Sequence, residues 1–252
     1  MKVLIVAVAS GPRSFNAAML STACETLRGG GHEVQVSDLH AMDFDPVARA
    51  SDFARPSDPG HIRYDIEQRH AVENGGFSPD IAAELEKLAW CDRLILQFPL
   101  YWFSVPAILK GWIDRVFVNG IVYGGGKWYD RGGLRGKRAM LAFSTGCYPK
   151  MCGPDGINGD MDIILWPIQN GILRFSGMDV LPPFIAWSVA YGDDEARKAM
   201  LADYAARLAA IESLEPLRFH RRDDFGKDWR LREGIAPVAV GQAGAELSPR
   251  RS

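Results

Sequence analysis

The chain has 252 residues, 47% of them hydrophobic and 24% charged, with a formal net charge of −2. These proportions are ordinary for a globular protein and exclude disorder, collagen and coiled coil over most of the length. The near-neutral charge argues against a nucleic-acid binder, which would carry a basic face, and against an acidic carrier that docks by charge alone.

No apolar run approaches the ~20 residues of a membrane span. The start, Met1-Lys2 followed by VLIVAVAS, has the look of a short signal sequence, but Gly11-Pro12-Arg13 follows at once and a buried first strand is the better reading. Cys24, Cys91, Cys147 and Cys152 form no CxxC and no zinc spacing. Cys147 and Cys152 could form a redox pair. So few cysteines nevertheless read as reduced thiols in an intracellular, cytoplasmic protein.

Short apolar runs alternate with helical patterns. Val3 to Ala9 is almost continuously apolar, as expected of a strand covered on both faces. Ser14 is an N-cap candidate, Phe15, Met19, Leu20, Ala23 and Leu27 recur at helical spacing, and Gly29 to Gly31 end the helix. Glu33 to Leu39 reads as a second strand. Ser78-Pro79-Asp80 combines a cap, a first-position proline and an acid facing the helix dipole, opening a helix to about Trp90. Arg93 to Phe98 is a third strand, Pro106 to Phe117 a helix, and Lys137 to Thr145 a fourth strand. Met161 to Phe175 is helical around Pro167, which should bend or start it. A fifth strand over Asp179 to Trp187 and a helix over Asp193 to Leu214 complete the set. The pattern gives one domain over 1–217 and an extended tail over 218–252, frayed near its end.

This alternation implies an α/β fold: a doubly wound five-stranded parallel sheet, with strand order 2-1-3-4-5 and helices on both faces. At roughly 30 residues per βα unit, five units need only about 150 residues. The surplus falls in 40–77, 118–136, 146–160 and the tail, and long connections are usually functional or interfacial.

In such sheets the ligand lies beyond the carboxyl ends of the strands, where three loops meet. The first, ASGPRSFN at 9–16, lacks both GxGxxG and GxxxxGK[ST]. It presents Arg13, Ser14 and Asn16 at a helix N-terminus, which suits a phosphate; simple capping by Ser14 is the alternative. The second, from Phe98 to Trp112, carries Tyr101, Trp102 and Phe103 in a row. They would cover a flat ligand or a partner chain, or else plug the core beneath the next helix. The third, from Ser144 to Met161, offers backbone donors at Ser144, Thr145 and Gly146, or is an ordinary flexible glycine loop. A flavin satisfies all three together: phosphates at the first loop, a ring on the aromatics, and donors for charge on the reduced ring.

SFNAAM at 14–19, SDLHAMDFDP at 37–46, FSPDI at 77–81, FPLYWFSVPAILKGWIDRVF at 98–117 and GDMDIILWPIQNGILRFSG at 159–177 are collinear with one family. The chain resembles the DT-diaphorase-type NAD(P)H:quinone oxidoreductases of the flavodoxin-like superfamily from about Val3 to Phe219. The resemblance implies a homodimer holding FAD, with FMN as the variant, and ping-pong hydride transfer from NADPH or NADH through flavin N5 to a quinone. It places Ser14, Phe15 and Asn16 at the pyrophosphate, and Pro99, Leu100, Trp102 and Phe103 beside the isoalloxazine. Ser144, Thr145, Gly146 and Cys147 would donate to the ring, and Arg197 would lie near the adenine. Arg63 and Tyr64 would reach the partner's cofactor, while Tyr123 and Trp128 would wall the substrate pocket across the dimer.

Several positions depart from the family. Cys152 and Asn158 stand where it has a Tyr and a His that stabilise charge on the flavin, Ala9 replaces a His, and Gly125 replaces a pocket Tyr. Asn158 donates a hydrogen bond but takes up no proton near pH 7. The charge then rests on backbone donors such as Gly146, with Tyr148 as a substitute phenol unless it packs on Pro149. A flavin-binding regulatory or electron-transfer module, or an azo or nitro reductase, are the competing functions. Val105, Ile108, Trp112, Val116 and Phe117 make one helix apolar on more than one side, and Ile163 and Trp166 sit on another. Part of this surface is expected to meet a second subunit.

Overall fold

The computed structural model describes residues 1–238. The expected frayed end at 239–252 lies outside the described residues.

Strands β1 (Lys2–Ala7), β3 (Arg93–Pro99) and β4 (Arg138–Ser144) are buried almost throughout, because helices cover both faces. With β2 (Glu33–Asp38) and β5 (Asp179–Val180) they form a parallel sheet in the order β2-β1-β3-β4-β5, as the alternation implied. Side chains alternate along β1. Val3, Ile5 and Ala7 join one core with α1 (Phe15–Gly29) and α6 (Asp194–Ala209). Leu4 and Val6 join the other with α3 (Pro79–Trp90), α4 (Ala107–Val116) and α5 (Met161–Ile168).

The single fifth strand is corrected to two pieces. β5 (Asp179–Val180) pairs with the start of β4 and β6 (Phe184–Ala186) with its end. Pro182 and Pro183 fall between them, and proline has no N–H for the ladder. The helix around Pro167 changes character just after the proline: α5 passes into a π-helical turn over Gln169–Arg174. The last helix ends at Ala209, short of Leu214.

The excursion over 40–77 contains an unforeseen helix, α2 (Tyr64–Asn74), which buries mostly polar side chains. Glu67 accepts from Ser57 Oγ (2.5 Å) and N–H (2.7 Å), and these bonds hold its carboxyl below the usual range. Gln68 donates to the Asp114 carbonyl (3.2 Å) and accepts from Asn119 N–H (3.1 Å). Arg115 anchors the excursion from α4. Its guanidinium forms a bidentate pair with buried Asp52 (3.1 and 2.8 Å) and a further bond to Asp80 (2.8 Å). Tyr64 Oη donates to the same Asp52 carboxylate at 2.6 Å. Gly111 permits the close approach, since a Cβ there would lie 2.2 Å from the Pro46 carbonyl oxygen. Ser78 does not cap α3; its hydroxyl donates to Asp80 instead (2.5 Å).

The helix expected to meet a second subunit mostly faces inward. Val105, Trp112, Val116 and Phe117 are buried in the protomer's own core, and Trp112 Nε1 donates to fully buried Glu84 (2.8 Å). Ile108 is partly buried against that core, and Ile163 is half exposed. The apolar run is explained by burial against the sheet, so it gives no argument for a dimer.

The segment after α6 packs on the body. Leu217 N–H donates to the Val180 carbonyl (2.7 Å), Phe219 lies against Trp166 (5.8 Å between ring centroids), and Arg222 N–H donates to Asp130 (2.9 Å). Among the described residues no helix is long and apolar enough to cross a membrane.

Candidate active site

The three loops converge at the carboxyl edge of the sheet. Ser14 caps α1, its Oγ accepting from Ala17 N–H (3.1 Å). The first-turn N–H groups of Phe15 and Asn16 find no acceptor among the described residues and mark the positive end of the helix dipole. Asn16 is buried; its Nδ2 donates to Ser144 Oγ (2.9 Å), joining the first loop to the third, while its Oδ1 is buried without a donor. Gln97 secures the same point from β3, donating to the Asn16 carbonyl (2.9 Å) and accepting from Tyr204 of α6 (3.2 Å). Ser14, Phe15, Arg13, Arg197 and Lys198 line one cleft of about 280 Å³. Arg197 is held by the carbonyls of Val189 and Gly192.

The second loop is a tight reversal. Tyr101 and Ser104 exchange both backbone hydrogen bonds (3.0 and 2.9 Å), and the two residues between them, Trp102 and Phe103, have φ of 48° and 59°. That is the two-residue type I′ arrangement, which normally takes Asn-Gly. Placing two bulky aromatics there costs on the order of 1–3 kcal/mol each, and such strain clusters at functional sites. The turn leaves Trp102 96% exposed and Tyr101 and Phe103 about half exposed. Pro99 is paired with Ser144 in the β3–β4 register, and Leu100 N–H donates to the Ser144 carbonyl (2.8 Å).

In the third loop Thr145 N–H donates to the Ala186 carbonyl (2.9 Å) and Thr145 Oγ1 accepts from Cys147 N–H (3.1 Å). Between them, the Gly146 N–H has no acceptor among the described residues, and the space where a Cβ would stand is open. Asn158 donates to Cys147 Sγ (3.4 Å) and lies 3.7 Å from Cys152 Sγ. Sulfur is a weak acceptor, so this amide is only loosely engaged. Burial pushes the Cys152 thiol up against the bond from Asn158, and Cys147 adds to the rise. Tyr148 stacks on Tyr191 (5.7 Å, 17°).

A fourth connection, after β6, also belongs to the site. Ser188 N–H and Oγ both donate to the Cys147 carbonyl (3.1 and 3.0 Å), and Tyr191 supports Tyr148. The rule that ligands sit at strand carboxyl ends would have found it, since this loop follows the last strand. The remaining candidates stand apart. Arg63 is exposed at the start of α2. Tyr123 meets Gln68 (3.3 Å) and Phe175 (6.4 Å), and burial raises its phenol. Trp128 lies against Tyr129 and Trp229, with the Arg222 guanidinium 4.8 Å from its ring.

A family model described as flavodoxin-like fold matches residues 1–208. The chain is 43% identical over 219 residues to NAD(P)H dehydrogenase [quinone] 1 of Rattus norvegicus, covering 86% of this chain and 80% of that protein. It is 44% identical over 217 residues to ribosyldihydronicotinamide dehydrogenase [quinone] of Mus musculus, covering 86% and 94%. A Klebsiella pneumoniae crystal structure provisionally designated a quinone reductase superposes with a TM-score of 0.91 at 40% identity, covering 96% of this chain and 97% of that one.

Proposed function

The chain belongs to the flavodoxin-like family and, within it, to the NAD(P)H:quinone oxidoreductases, and on that premise we propose that it carries hydride from NAD(P)H to a quinone by way of FAD. It is an oxidoreductase. When bound, the flavin supplies hydride acceptance from one substrate and hydride donation to the other, in a ping-pong sequence.

The observation that carries the reading is the junction of Asn16 with Ser144, which leaves a buried Asn16 Oδ1 beside two free helix N–H groups. The free N–H donors at the helix N-terminus fit a phosphate, and the orphaned Oδ1, an acceptor, fits a hydroxyl of the same cofactor. Arg13 and the Ser14–Phe15 turn hold its phosphates. The cleft continues to Arg197 and Lys198 on α6, which gives an adenosine end somewhere to lie and favours FAD over FMN. Trp102 and Phe103 cover the ring, with Pro99 and Leu100 fixing the loop beneath. The open Gly146 N–H and the loosely held Asn158 amide donate to charge that builds on the ring, and Thr145 and Cys147 shape that turn. Tyr148 belongs to the rim, stacked on Tyr191.

Tyr123, Trp128 and Arg63 serve a second protomer's site. Their neighbours in this chain come from α2, the π-helical turn and the C-terminal segment and not from the three loops, which supports a role across a homodimer over one in their own protomer's site. Sedimentation showing only monomer at micromolar concentration overturns that part.

The test is the identity of the cofactor released on denaturation, together with NADPH oxidation against quinones, an azo dye and a nitroarene. FAD released and quinone turnover are expected. A colourless protein that takes up neither flavin defeats the reading, and FAD binding without turnover turns it into a regulatory module.

A further inference from the structure

At the opposite end of the sheet from these loops, where β4 and β5 begin, the chain after α6 roofs a cavity of about 920 Å³. Arg174 is 8% exposed at its wall. Its Nε is buried without an acceptor. Arg135, Arg218 and Arg221 line the same cavity. Among the described residues none of these four guanidiniums forms an ion pair.

The acids lining the cavity do not change this. Asp130 accepts from Arg222 N–H (2.9 Å), and Asp224 accepts from Arg221 N–H (2.9 Å) and faces His220 Nδ1 (3.1 Å). Asp179 is exposed. A side compartment that shares Leu217, Arg218, Phe219 and Val238 with the cavity is lined by Gln169, whose buried Nε2 also lacks an acceptor, and by Asp162. Both orphaned atoms are donors.

A buried cation without a partner is costly, and buried charges are normally paired. Guanidinium forks match phosphate oxygens bidentately. The volume is that of a small-molecule site, far more than one carboxylate fills. We propose that this cavity binds a multiply charged anion of the phosphate type, held by Arg174 at the wall and by Arg135, Arg218 and Arg221 at the mouth. Its ligand ties the C-terminal segment to the body at a site separate from the flavin.

The experiment is calorimetric titration of the flavin-loaded protein with tripolyphosphate, against sodium chloride at matched ionic strength. One site per chain is expected, with a raised melting temperature. Arg174→Met and the double variant Arg218→Ala/Arg221→Ala should each weaken binding about tenfold or more. Arg174→Met alone should melt no lower than the parent in the absence of the anion, since it removes an unpaired buried charge. If Arg174→Met does not fold, the double variant decides. No heat beyond the chloride control, or binding undiminished in the variants, overturns the proposal.

Discussion

Asn16 on α1 and Ser144 at the end of β4, 128 residues apart in sequence, are joined by one buried hydrogen bond of 2.9 Å. Ser144→Ala strips the Asn16 amide of its acceptor, although Asn16 Oδ1 already lacks a donor. Leaving a buried donor unpaired costs about 1–3 kcal/mol. Urea unfolding should show that loss, and flavin retention on desalting should fall with it. Unchanged stability and retention would mean that the two loops are positioned by backbone bonds alone.

The Trp102–Phe103 turn predicts the opposite sign. Glycine adopts positive φ without penalty, so Trp102→Gly should leave thermal stability unchanged or raise it by about 1 kcal/mol. On the proposed role of Trp102 as a cover for the flavin ring, quinone turnover should drop in the same variant. A variant that melts markedly lower would show that the exposed indole packs on something in solution.

Arg115→Met leaves Asp52 buried beside a methionine, with only the Tyr64 hydroxyl and the Arg49 N–H to support it. Breaking one partner of a buried pair typically costs about 3–5 kcal/mol. Limited proteolysis should then cut between 40 and 77 first. Partial burial pushes the Asp80 carboxyl up, but the hydrogen bonds from Ser78 and Arg115 together outweigh it and hold the group below its ordinary value. Its contribution to stability is therefore present above the unfolded carboxylate pKa. It is lost as pH falls through the lowered folded value, and Asp80→Asn should flatten the acid limb of a stability profile measured between pH 5 and 2.

Alkaline behaviour follows from Cys91. Burial pushes its thiol from 9.0 up to about 11, against the pull of Lys137. A raised value favours the protonated form in the fold, so this contribution is intact below pH 9 and is lost as pH rises toward 11. At 1.36 kcal/mol per unit the loss is about 3 kcal/mol. Denaturant midpoints at pH 8, 9, 10 and 11 should fall more steeply in the parent than in Cys91→Ala; parallel curves would rule the thiol out.

The sheet order was legible because Val3–Ala9, Arg93–Phe98 and Lys137–Thr145 are apolar runs separated by helical patterns, and central strands need both faces covered. The loops at the carboxyl edge followed from that order. Helix α2 escaped because YDIEQRHAVEN buries Glu67 and Gln68 through hydrogen bonds, and apolar periodicity is blind to polar burial. The inward face of α4 resembles an interface in sequence because a helix pressed between a sheet and a polar excursion is apolar for the same reason as one against a second subunit. The Arg115–Asp52 pair and the four cavity arginines had no local signal, since their members are scattered along the chain and only tertiary structure assembles them.

The break in the fifth strand bears on solubility. An unbroken strand at this edge would present a row of unpaired N–H and C=O groups, a template for pairing with another chain. Asp179–Val180 and Phe184–Ala186 are short, Leu217 occupies the Val180 carbonyl, and two prolines withhold their donors between them. The interruption that turns the chain toward Ser188 and the loops of the candidate site also leaves little regular edge on which a second copy could pair.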